Sequence, residues 1–214
     1  MTHIFEASNV HCSIIVDGER RTIFSGLSFV IDAGEIVDLT GPSGVGKSSL
    51  LTSFARLNPR ADGKYRLLGR SADDFTPQQW RAQVAYLPQK PVLLGETVAQ
   101  AMRLPFTLAV RQSSKTGPRR TSPTDIPPDA EIRKTLDDMG CGDIDLNRPP
   151  HDLSGGQAAR VSLARTLLTN PKVLLADEVD AGLDDENAEK VASVLTGAAA
   201  DGMAIVRIRH RRPD

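Results

Sequence analysis

Three short groups of residues carry the chemistry this chain could do. The first is the glycine-rich run Gly41-Pro42-Ser43-Gly44-Val45-Gly46-Lys47-Ser48-Ser49. Glycines at such spacing let the backbone turn tightly, so successive N–H groups can converge on phosphate oxygens. Lys47 would reach the terminal phosphates of a nucleoside triphosphate, and the Ser48 hydroxyl would ligate Mg2+. The second group is Asp177-Glu178, two carboxylates that end an apolar run. Asp177 would hold Mg2+, directly or through water, and Glu178, one residue further on, would polarise the attacking water. The third is Leu153-Ser154-Gly155-Gly156-Gln157. Small residues at a helix start make an anion site from backbone N–H groups, the helix dipole and a hydroxyl. An isolated Ser-Gly-Gly is more often an ordinary N-cap. One chain would thus carry two phosphate-binding helix starts, with no need for both on one nucleotide.

Each group needs an element to present it. Residues 36–40 read as a short strand entering the glycine loop, and residues 49–57 show apolar positions at helical spacing. Strand, glycine loop and helix are the context that a phosphate loop requires. Asp38 is an oddity in that strand, since buried parallel strands are usually unbroken apolar runs. It sits at the strand's edge or pairs with a neighbouring basic group. Residues 172–176 form a buried-strand pattern, and ligands in α/β sheets bind beyond the carboxyl ends of strands. Residues 157–168 have a helical apolar face from Val161, Leu163, Ala164, Leu167 and Leu168. Residues 84–89 and 204–210 read as strands that end in Gln89 and His210.

With the pentapeptide between the glycine loop and the acidic strand, the chain resembles the ATP-binding cassette family from about Ile4 to His210. The resemblance implies an α/β fold: a P-loop core with a mostly parallel sheet flanked by helices, an N-terminal antiparallel portion, and a helical subdomain carrying the pentapeptide. It implies ATP and Mg2+ as cofactors. It also implies head-to-tail homodimers, in which the signature Leu153–Gln157 of one subunit closes over the ATP held by the other's loop. Gln89 matches the glutamine that touches Mg2+ or the attacking water, and His210 matches the switch histidine that senses the γ-phosphate. Leu183 and Asp184 match a cross-dimer loop whose usual serine is replaced by Ala181. The clearest departure concerns the base. The family stacks adenine on an aromatic a few positions after a pair like Asn9-Val10, where this chain has Ile14, with Phe24 and His11 as the next candidates.

As expectations, one domain spans 1–214, with a nucleotide lobe at 1–88 and 170–214 and a helical lobe at about 89–169. A loop-forming insertion near 111–129 contains Lys115, Arg119 and Arg120. A hydrophobic fraction of 40 % over 214 residues suffices for a substantial core. The formal net charge of −1 gives no sign of a bulk polyanion, so no nucleic-acid partner is expected. Cys12 and Cys141 form no disulfide framework or metal-binding spacing, which suits a reducing compartment. No apolar run approaches the roughly 20 residues of a membrane helix, and no signal peptide is seen. Four residues follow His210, which leaves no room for a C-terminal regulatory domain. The expected role is the ATPase subunit of a transporter, cytoplasmic and peripheral on the inner face of the cell membrane, acting on a separately encoded membrane-spanning permease. Brevity, the Gly95–Val98 turn and Leu104-Pro105-Phe106 are similar to the short ATPase subunits of iron-export systems. The alternative is a cassette ATPase uncoupled from cargo: a soluble enzyme or a mechanical switch.

Overall fold

The computed structural model describes residues 3–112 and 126–209. Two units emerge, the first made of residues 1–86, 171–178 and 198–214, the second of 87–170 and 179–197.

The first unit holds two sheets. Strands β1 (Phe5–Val16) and β2 (Glu19–Ile31) form a long hairpin across Asp17-Gly18, both at positive φ (52° and 83°), as an Asp-Gly turn matched to the strand twist requires. Strand β4 (Ala61–Leu67) pairs antiparallel with β1, and β5 (Arg70–Ser71) with β4, giving the order β2-β1-β4-β5. The second sheet has the order β3 (Ile36–Leu39), β8 (Ala204–Ile208), β7 (Val173–Asp177), β6 (Val84–Leu87). β8 runs parallel to both β3 and β7. β7 is buried at all five positions, which is why Val173 to Ala176 read as an unbroken apolar run before Asp177. The odd Asp38 lies opposite Arg207 in the β3–β8 register, and the guanidinium forks onto its carboxylate at 2.5 Å and 3.3 Å. Arg209 adds a looser contact at 3.7 Å. The acid in this strand is therefore a cross-strand ion pair.

Helix α1 (Lys47–Phe54) touches strands of both sheets and buries Leu50, Leu51 and Phe54 between them. Around Phe54 an aromatic cluster forms, with Phe5 and Phe29 ring centroids 5.2 Å and 5.4 Å away. Helix α2 (Pro77–Gln83) starts at a Thr76–Gln79 capping box and drives Trp80 into the same core, fully buried. The Trp80 indole N–H donates to the Phe54 carbonyl at 2.9 Å, satisfying one of the orphan carbonyls at the end of α1. Trp80→Ala is expected to destabilise the protein by about 3–5 kcal/mol, through lost burial and the cavity left behind. Urea unfolding measures this, and a loss under about 1 kcal/mol would contradict the packing described.

The second unit is helical. It comprises α3 (Val98–Arg103), α4 (Ala109–Gln112), α5 (Asp129–Asp138), α6 (Gly155–Leu168) and most of α7 (Asp185–Ala200). α6 packs on α3 and α5, and Val98, Met102, Ile132, Leu136, Val161 and Leu163 are buried. Most of the 111–129 insertion, with Lys115, Arg119 and Arg120, lies outside the described residues, as do His210 and the basic residues after it. Among the described residues, no helix is long and apolar enough to cross a membrane.

Candidate nucleotide site

The glycine loop leaves β3 and enters α1. Gly41, Gly44 and Gly46 take φ of 153°, 78° and 101°, values that side chains disfavour, so the loop's shape depends on glycine. At Gly46 there is a second reason: a Cβ would collide with the side chain of Ile23 on β2, and Phe24 lies 3.6 Å from the same point. Gly46 is the N-cap of α1 and supplies no side-chain acceptor. The first N–H groups of α1 are thus left uncapped by side chains, which suits an anion. The Lys47 ammonium donates to the carbonyls of Gly41 (2.8 Å) and Pro42 (2.9 Å), tying the loop's start to its end. Pro42, Ser43, Val45 and Ser48 are exposed, while Ser49 is half-buried and its carbonyl accepts from the Ser53 hydroxyl at 2.5 Å.

Asp177 closes β7 and is only 5 % exposed. Its Oδ2 accepts a hydrogen bond from the Tyr86 hydroxyl at 3.0 Å. Burial, and then the adjacent Asp177 carboxylate, push the Tyr86 phenol above its ordinary value, which keeps it a donor. Glu178 follows at φ 54°, a left-handed conformation that costs a non-glycine residue roughly 1–2 kcal/mol. Such strain is found where a side chain must be aimed. Because α1 packs on β7, the helix start and the acidic pair belong to one construction within the first unit. The donor set on offer is a serine hydroxyl on α1 and a carboxylate at the end of β7. Hard oxygens with few protein ligands fit Mg2+, which retains waters and is completed by substrate phosphates.

In the second unit, Ser154 caps α6 through a capping box. Its Oγ accepts from Gln157 N (3.2 Å), and Gln157 Oε1 accepts from Ser154 N (3.1 Å). The ordinary N-cap weighed from sequence is present, and the serine's own O–H is still a donor. Gly156 is hemmed in: a Cβ would stand 3.3 Å from Leu183. Gly155 is different. Its φ is not positive and nothing lies within 4 Å of where its Cβ would be. Asp184 accepts from Asn187 N (2.8 Å) and from the Asn187 amide (2.7 Å), which together hold its carboxyl below the ordinary range, the backbone bond first. The other face of that amide accepts from Arg160 of α6. Signature helix and Asp184 loop are therefore linked through Asn187. Gln89 lies two residues past β6 and is exposed.

Ile14 sits in β1, paired with Arg21 and half-buried, while Phe24 pairs with Cys12 and packs against the core. His11 is exposed and faces Asp62 at 3.8 Å. Four residues of this neighbourhood are not singled out by sequence: Ile23, Tyr86, Arg160 and Asn187. The spacing Ser154-x-x-Gln157 is that of a capping box, a signal that goes beyond the plain N-cap read from the sequence. The contacts of Ile23, Tyr86 and Arg160 join residues distant in the chain, and no local pattern signals them, whereas Asn187 also clasps Asp184 only three residues before it.

The profile of the ABC transporter family matches residues 24–181. Over 215 residues the chain is 33 % identical to the "Uncharacterized ABC transporter ATP-binding protein MJ1508" of Methanocaldococcus jannaschii, covering 98 % of this chain and 90 % of that protein. It is 34 % identical over 193 residues to the "Probable iron export ATP-binding protein FetA" of Escherichia coli, covering 90 % of this chain and 80 % of the relative. It spans only 31 % of the macrolide export ATP-binding/permease protein MacB of Salmonella typhimurium, at 32 % identity. Among solved structures, a bacterial Atm1-family ABC exporter with ATP bound superposes with a TM-score of 0.76 at 25 % identity, over 98 % of this chain and 35 % of that one.

Proposed function

We propose, because this chain belongs to the ABC transporter family and is one of its ATP-binding ATPases, that two copies close head to tail around two ATP molecules and drive a separate membrane-spanning subunit. The single observation that carries the ATP-binding part is the uncapped, glycine-shaped start of α1, a helix packed on the strand that ends in Asp177. In this reading the loop from Gly41 to Ser49 wraps the phosphates with its N–H groups and the Lys47 ammonium. Ser48 and Asp177 would hold Mg2+, with Gln89 reaching it on closure, and the ion would neutralise charge on the phosphate oxygens. Glu178 accepts a proton from the attacking water, and His210 reads the γ-phosphate. Ile14 and Ile23 offer aliphatic carbon to adenine in place of an aromatic ring.

Gly155 supports the role of the signature in trans. Neither backbone conformation nor any neighbour in its own chain requires a glycine there. A requirement imposed from outside, by close approach to another subunit's triphosphate, accounts for it. Gly155→Ala is expected to leave the monomer's stability unchanged or slightly raised, since alanine favours a helical position. It should lower ATP hydrolysis about tenfold or more by placing a methyl group where backbone meets phosphate. Thermal melting and steady-state hydrolysis measure the two effects. Wild-type turnover in this variant would remove the signature from the reaction.

Asp184 and its Asn187 clasp would meet the partner subunit in the same closed pair. The likeness to the FetA protein supports iron export as the transport process served, with the membrane subunit selecting the cargo. The working location is then the inner face of the cell membrane, bound to that subunit. The test of the whole reading is ATP-dependent dimerisation of the purified chain in Mg2+, followed by light scattering. A chain that binds ATP yet stays monomeric at every concentration contradicts it.

A further inference from the structure

Tyr86 is the third of the four residues of β6, which is hydrogen-bonded to β7 in the second sheet, and its hydroxyl reaches Oδ2 of Asp177 at 3.0 Å. A carboxylate as buried as this one has lost most of its water and depends on protein donors to hold its lone pairs. The terminal torsion of an aspartate is soft and nearly two-fold, so packing alone does not choose which oxygen faces a ligand. A phenol from the next strand does choose, because it engages one oxygen and leaves the other.

We propose that Tyr86 is a positioning residue for Asp177: by holding Oδ2 it fixes the carboxylate's rotation and reserves Oδ1 for Mg2+ or a water that Mg2+ carries. This rests on the reading of Asp177 as the metal-holding aspartate. It gives β6 a task beyond leading to Gln89. It also explains why a large side chain with one polar atom stands near the end of a short strand. Groups that orient a metal ligand through a hydrogen bond change metal affinity by about 10–100-fold when removed.

The experiment uses the full chain with Tyr86→Phe and, as a second variant of different shape, Tyr86→Met. Binding of a fluorescent ATP analogue is measured first in EDTA and then across a Mg2+ titration, with thermal melting without nucleotide alongside. For both variants the EDTA affinity stays at the wild-type value. The Mg2+ concentration for half-maximal effect rises about tenfold. In an Asp177→Asn background, Tyr86→Phe has no further effect on the Mg2+ response. A merely structural role for Tyr86 would lower the melting temperature and weaken binding equally with and without Mg2+, and that result overturns the proposal. A Mg2+ response unchanged in both Tyr86 variants but altered by Asp177→Asn also overturns it, leaving the aspartate's own role intact. If Asp177→Asn itself leaves the Mg2+ response unchanged, the underlying assignment of Asp177 fails and the proposal falls with it.

Discussion

Replacing Glu178 by glutamine is expected to leave ATP binding intact, cut hydrolysis by about 10²–10⁴-fold and trap an ATP-bound pair of subunits. The amide has nearly the size of the acid but cannot take a proton from water, so the closed state forms and does not discharge. The left-handed backbone at position 178 (φ 54°) is unaffected by the change, and the fold should be as stable as wild type. Size-exclusion chromatography with and without ATP reads the trapped pair, and phosphate release reads the chemistry. A variant that hydrolyses at the wild-type rate, or that binds ATP and never pairs, would contradict the role given to Glu178.

Lys47→Ala is expected to weaken MgATP binding by about tenfold to a hundredfold, the range for losing a hydrogen bond to a charged group. Two effects act together. The ammonium disappears from the phosphate cradle, and the Gly41 and Pro42 carbonyls lose the donor that ties the loop together at 2.8 Å and 2.9 Å. Lys47→Arg would restore charge but not the compact ammonium that fits between two carbonyls, so it should rescue affinity only in part. Calorimetry with Mg2+ present measures both variants. Wild-type affinity in the alanine variant would remove this loop from nucleotide binding.

These two effects are readable from sequence because the groups concerned are local. Glycines at 41, 44 and 46, followed by a helix, announce the cradle, and an apolar run ending in Asp177-Glu178 announces the acidic strand end. The α/β class and the two kinds of sheet are implied by the resemblance to the cassette family, and the structure has both. What sequence does not reveal is pairing across distance. Asp38 and Arg207 are 169 residues apart, and only the β3–β8 register explains the acid in the strand. Ile23 meets Gly46 because a long hairpin lays β2 against the loop, a contact no spacing rule encodes. Tyr86 takes its meaning from β6 lying beside β7, and Arg160 from an asparagine 27 residues further on. Boundaries also moved by a residue or two, as helix ends do: α1 starts at Lys47 rather than 49, because Gly46 in its left-handed conformation sets the cap.

The central claim is that each active site is shared between two copies of the chain, and mixing two inactive variants tests it most directly. Lys47→Ala takes the ammonium from the cradle and is assayed at an ATP concentration that fills the wild-type site but not the weakened one, while Ser154→Arg places a bulky cation where the signature would approach the other subunit's phosphates. Each variant alone should show no hydrolysis, and the Ser154→Arg monomer should bind ATP as wild type does. In a mixed pair, one site combines the intact cradle of one copy with the intact signature of the other. Statistical mixing of a two-fold pair then predicts a return of up to about a quarter of wild-type activity. No activity at any mixing ratio, or weakened ATP binding by the isolated Ser154→Arg monomer, would contradict a site built from two copies.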